Sequence, residues 1–112
     1  MKYLLMFASN AETDARSEAE EAAVMARIGP WWEEHAAAGR IVGGLQLQGP
    51  ETATTVRHDA GGITIVDGPF VESKEQIGGY AVVEVADLDE AIGLARSWPW
   101  GGVVEVRPEI GM

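Results

Sequence analysis

Two short segments, Lys2–Ala8 and residues 80–85, leave this chain few ways to fold. In a strand, successive side chains point to opposite faces. Tyr3, Leu5 and Phe7 therefore share one side of the first segment, and Leu4, Met6 and Ala8 share the other. Both sides are apolar, so the strand must be central, in a sheet covered on both faces. Tyr80-Ala81-Val82-Val83-Glu84-Val85 reads the same way, with a strand starting at Tyr80.

The rest of the chain supplies cover for one face. Residues 17–39 are helical in pattern, with Ser17 as N-cap and Glu18, Glu20 and Glu21 in the first turn, where carboxylates suit the helix dipole. Ala22, Met25, Ile28, Trp32 and Ala36 form the expected inward stripe, and Gly39 the stop. Pro30 removes an amide and crowds the preceding turn, which predicts a kink or two helical pieces. Residues 41–47 read as a strand loosened by Gly43 and Gly44, and residues 52–66 as a hairpin turning at residues 59–62. Asp87 and Glu90 have capping-box spacing ahead of a second helix. Leu88, Ile92, Ala95 and Trp98 lie along its face, and Pro99 ends it. Residues 101–107 close the chain as a strand.

Strand, helix, strand, hairpin, strand, helix, strand is the split βαβ plan of a ferredoxin-like α+β sandwich with an added β-hairpin. Two helices cover one face of such a sheet. The other face is apolar too, and a second copy of the same sheet is the simplest cover, so a homodimer is expected.

A length of 112 residues fits one domain, 1–112, able to bury a core without metal or disulfide. No cysteine is present, which excludes thiolate nucleophiles, zinc ribbons and iron–sulfur clusters. The net charge is -10 with only eight Lys and Arg, which argues against direct nucleic-acid binding and against attraction to an anionic membrane. The apolar N-terminal run is too short for a signal segment or a membrane span, so a cytoplasmic location is expected.

Between the hairpin and the strand at Tyr80 runs Asp67-Gly68-Pro69-Phe70-Val71-Glu72-Ser73-Lys74-Glu75-Gln76-Ile77-Gly78-Gly79. It resembles the D-G-P-F-x-E-S/T-K-E signature of the DGPF proteins, within the YCII-related family. The likeness extends to Lys2-Tyr3-Leu4-Leu5-Met6, Gly43-Gly44-Leu45, Thr52-Ala53-Thr54-Thr55-Val56-Arg57, Leu88-Asp89-Glu90-Ala91 and Val104-Glu105-Val106-Arg107-Pro108, in the right order. The resemblance implies a dimeric α/β barrel, in which two ferredoxin-like subunits pack sheet to sheet. It implies a poorly defined function: some relatives are thought to use a histidine and an aspartate as acid–base groups. DGPF members are often encoded beside extracytoplasmic-function sigma factors, which implies a regulatory setting and a sigma-factor pathway partner.

Asp67 is the first candidate. An Asp before Gly-Pro usually serves a turn, but an Asx turn bonds the amide two residues on, and Pro69 has none. Its carboxylate is thus left for Phe70 N–H, another partner or a pocket. Gly68 allows a close approach to the backbone. Lys74, between Glu72 and Glu75, is either part of a solvated charge cluster or the group that fixes an anion, with Ser73 as an accessory. His35, one turn beyond Trp31, either gains from the helix C-terminus or acts as a general base near neutrality. With His58 solvated ahead of a glycine turn and no carboxylate at ligand spacing, no metal is expected, and no cofactor. Gly78 and Gly79 precede a strand rather than a helix, so they make no phosphate loop.

Two functions compete on these residues. One is a binding or accessory domain for a small polar or anionic ligand, its site formed by Asp67, Gly68, Pro69, Phe70, Ser73 and Lys74. The alternative is an acid–base enzyme of lyase, isomerase or dehalogenase type, in which Asp67 and His35 act on a small cyclic substrate. A third reading makes the acidic surface at Glu18, Glu20 and Glu21 a protein-docking face.

Overall fold

Leu5 and Val83, from the two segments that are apolar on both faces, are the largest side chains sealed completely from solvent. Around them the computed structural model, which describes residues 1–69 and 76–111, builds one four-stranded antiparallel sheet. Its strands are β1 (Lys2–Ala8), β2 (Ile41–Gln46), β5 (Ile77–Glu84) and β6 (Val103–Pro108), in the order β2-β5-β1-β6. Helices α2 (Glu18–Ala37) and α3 (Leu88–Arg96) make the crossovers from β1 to β2 and from β5 to β6. Each crossover leaves room for a strand between its ends, which is the ferredoxin-like α+β plan. Strands β3 (Thr54–Asp59) and β4 (Gly62–Asp67) are the added hairpin, a separate two-stranded sheet.

Tyr3, Leu5 and Phe7 of β1 join Ala81 and Val83 of β5, Ala91 and Leu94 of α3, and Trp31 of α2 in one core. Register explains the layer: Tyr3 faces Val83 and Leu5 faces Ala81 across the central pair. On the opposite side of the sheet, Leu4 pairs with Val82 and Met6 with Tyr80. These four are only half-buried in the single chain.

Helix α2 differs from expectation in two respects. It runs without a break through Pro30 for 20 residues instead of splitting into two pieces. The second half is anchored by Trp31, whose ring lies edge-on to Phe7 and Trp98 and whose Nε1–H donates to Ser97 Oγ at 2.8 Å. Packing of this kind outweighs the amide that proline removes. The buried stripe is also rotated. Trp31 and His35 face the core, whereas Ala22, Met25 and Ala36 are exposed. In α3 the sealed residues are Ala91 and Leu94, while Leu88 and Ile92 remain exposed.

β5 begins at Ile77, three residues before Tyr80, and includes Gly78 and Gly79. A Cβ on Gly79 would lie 2.8 Å from the Leu45 carbonyl oxygen, so the missing side chain admits β2 rather than breaking the strand. A short helix, α1 (Ala11–Asp14), follows β1, with Asn10 and Thr13 capping each other reciprocally.

The β3–β4 hairpin stands apart as an arm. Every residue of its two strands is exposed except Thr55, which is half-buried, and Ile63 and Ile65 are 65% and 71% exposed. The radius of gyration is 15.9 Å, against about 13 Å for a compact chain of this length.

Candidate functional site

At the end of the sheet where β2 and the start of β5 pass beneath α2 lies a cleft of about 770 Å³. Glu21, Met25, Ile28, Gly29, Trp32 and Glu33 form its α2 wall, at the i, i+4, i+7 spacing of one helical face. The apolar stripe read as core therefore faces the cleft over Met25, Ile28 and Trp32. Gly44 makes this arrangement fit. Its φ is +142°, and a Cβ there would come 2.7 Å from Trp32 Cη2 and 2.3 Å from the Tyr80 carbonyl oxygen.

The opposite wall is held by backbone bonds across the sheet end. Ser9 N–H donates to the Gln76 carbonyl at 2.9 Å, and Leu47 N–H to the Gly78 carbonyl at 2.8 Å. Trp98 and Trp100 complete the lining. Trp98 stacks on Phe7 with ring centroids 3.8 Å apart, and the Arg16 guanidinium sits 5.0 Å from the centre of the Trp100 ring while Nη2 donates to the Trp100 carbonyl.

Two donors at this end are unspent. Trp98 Nε1 and Arg16 Nη1 are buried and have no hydrogen-bond partner among the described residues. Buried polar groups are nearly always bonded, and of these two residues only Trp98 lines the cleft. The rim bears the opposite charge: Asp14, Glu21 and Glu33 are all exposed carboxylates.

The residues singled out from sequence are dispersed in the single chain. His35 lies under Trp31, ring centroids 4.9 Å apart, and is buried. Arg40 Nε–H donates to its Nδ1 at 2.9 Å, and its Nε2 is 3.4 Å from the exposed Glu34 carboxylate. Burial, followed by the Arg40 charge, holds its pKa below the ordinary histidine value, with Glu34 opposing. Asp67 ends β4 opposite Thr54 and is exposed, and no group among the described residues donates to its carboxylate. Gly68, with φ +105°, bonds its N–H to the Ala53 carbonyl at 2.8 Å and accepts from the Thr55 hydroxyl at 2.6 Å. This pins the base of the arm. No hydrogen bond or ion pair joins His35 to Asp67, and neither these two nor Gly68 and Pro69 line the cleft. Phe70, Ser73 and Lys74 lie outside the described residues. The signature meets the cleft through its C-terminal flank, since Gln76, Ile77, Gly78 and Gly79 line it.

Among the described residues no three His, Asp or Glu gather as a metal site, and no helix is long and apolar enough to cross a membrane. The cleft itself was missed from sequence. Its signals were an apolar α2 stripe with more residues than one core face needs, and tryptophans on both sides of Pro99.

The model of the YCII-related domain matches residues 1–109. An uncharacterised protein of Rhizobium meliloti (strain 1021) is 35% identical over 109 residues, covering 94% of this chain and 88% of that protein.

Proposed function

This chain belongs to the YCII-related family, and from that premise we propose that it is a small-ligand-binding domain whose site is the cleft between α2 and the end of the sheet. The observation that carries the proposal is the tryptophan-lined cleft of about 770 Å³, within the size range of small-molecule sites, with the unpaired indole N–H of Trp98 in its lining. Its walls suit a flat apolar body, and the Trp98 indole N–H suits an acceptor head such as a carboxylate or carbonyl. That matches the polar or anionic guest expected from sequence but moves its centre away from Asp67.

The domain works as a homodimer, closed over the half-buried Leu4, Met6, Tyr80 and Val82 face, in an accessory or regulatory role compatible with a sigma-factor pathway and a cytoplasmic setting. The acid–base alternative draws no support from the single chain. His35 Nδ1 is engaged by Arg40, and Asp67 sits at the arm's base.

Three probes with one ring system test the site: 2-naphthoate, 2-naphthamide and 2-naphthylmethylammonium. Quenching of tryptophan fluorescence is expected to rank the two acceptor-bearing heads above the ammonium. Trp98→Phe keeps the stacked ring, removes the N–H, and is expected to weaken naphthoate binding about fivefold to tenfold, the worth of one hydrogen bond of about 1–1.4 kcal/mol. Equal binding of all three heads, unchanged by the substitution, would remove the proposed donor role.

A further inference from the structure

The arm and the cleft carry complementary defects. One face of the β3–β4 arm holds Val56, Ile63 and Ile65, since Val56 pairs with Ile65 and His58 with Ile63 in the hairpin register. All three apolar side chains are more than half exposed. An apolar face of a two-stranded ribbon with no described residue packed against it is an association surface. The cleft is apolar, too, and stands open to solvent at Met25 and Leu47, both exposed. The arm springs from its own cleft's rim, because residues 46–50 lead into it and residues 76–79 follow it in sequence, and all of them line the cleft. It then runs outward for six residues, about 20 Å, without lining that cleft.

A second copy is the occupant that fits these facts. The open face of four strands, six to eight residues long, has a planar footprint of roughly 400 Å². A stable dimer buries about 800 Å² per partner. The arm adds apolar area to what the sheet face presents. The edge strand β2 belongs both to the open face and to the cleft, so an interface on one continues onto the other. Two-fold symmetry makes the exchange reciprocal, with two arms and two clefts.

We infer that in the homodimer the arm of each copy lays its Val56–Ile63–Ile65 face across the cleft mouth of the other, against the Met25 side of α2. The ligand site is then incomplete in one chain and gains its outer wall from the second. This inference rests on the homodimer reading.

The absence of cysteine makes the test clean. Ile65→Cys and Met25→Cys chains, mixed and treated with a short bis-maleimide, are expected to give a mixed cross-linked dimer. Ile92→Cys on exposed α3 replaces Met25→Cys in the control. Docking places the two thiols at millimolar effective concentration, so the yield is expected to exceed the control about tenfold or more. Light scattering on the unmodified chain separates the outcomes. A monomer would overturn both the homodimer reading and this inference. A dimer whose Ile65→Cys arm cross-links no better to position 25 than to position 92 would overturn the inference alone. Far-UV circular dichroism confirms that each variant is folded.

Discussion

Strands β1 and β4 are short apolar runs of similar character, yet Leu5 in β1 is fully enclosed and Ile65 in β4 is 71% exposed. The difference is one of neighbours, not of residue type. β1 has a strand on each side and helices over one face, whereas β4 has only β3. An apolar pattern fixes what a strand must be covered by, and the cover need not lie in the same chain.

The sharpest way to break that comparison is to remove equivalent bulk from each region. Leu5→Ala is expected to cost about 2–5 kcal/mol in chemical denaturation, because it opens a void in a sealed core. Ile65→Ala should cost less than about 1 kcal/mol at concentrations too low for pairing. Any additional cost that grows with protein concentration would measure what a second copy contributes to the arm.

Two glycines sharpen the same contrast. Gly44→Ala would drive a Cβ against the Tyr80 carbonyl and Trp32 at a positive φ, so a loss of about 2–4 kcal/mol is expected, with a disturbed cleft wall. Gly62 in the arm's turn also has a positive φ, +124°, but nothing lies within 4 Å of its added Cβ. Gly62→Ala should therefore lose only the backbone part, about 1–2 kcal/mol. Equal losses at the two sites would mean that crowding at Gly44 is relieved by easy movement of Trp32 and of the β5 backbone at Tyr80 and Ala81.

The smallest effect is in pH dependence. His35 is held neutral by burial and by Arg40, so its folded pKa lies below the unfolded value near 6.5. The unfolded chain then binds more protons in the acid range. The His35 contribution to stability is present in full above pH 6.5 and is lost as pH falls through the folded pKa. His35→Gln is expected to flatten this acid-side decline in urea midpoints, and an unchanged slope would assign the decline to other groups.

Much of the sandwich was legible because its determinants are local. An apolar run greasy on both faces exposed β1, and Ser17 and Asp87 announced the helices they cap through Glu20 N–H and Glu90 N–H. Even α1 had its mark in Asn10 and Thr13, a reciprocal pair that reads as a mere strand end when only Ser9-Asn10 is weighed. The helix faces were harder. Trp31 and Trp32 are adjacent, and which one enters the core depends on whether Ser97 waits for an indole N–H, a fact of tertiary structure. The cleft was illegible for the same reason. It exists because Gly44, Trp32, Gly79 and Trp98, distant in sequence, meet at one end of the sheet. Asp67 drew attention through the missing amide of Pro69, a local fact that says nothing about where the end of β4 sits relative to α2.

The tryptophans provide the most direct measurement of the central claim. Trp32, Trp98 and Trp100 line the cleft, whereas Trp31 is committed to Ser97. In an amide-detected nitrogen–proton spectrum, titration with 2-naphthoate is predicted to move the indole N–H signals of Trp32, Trp98 and Trp100 and to leave that of Trp31 in place. Signals that all stay fixed, or a Trp31 signal that moves as far as the other three, would contradict a ligand site in this cleft.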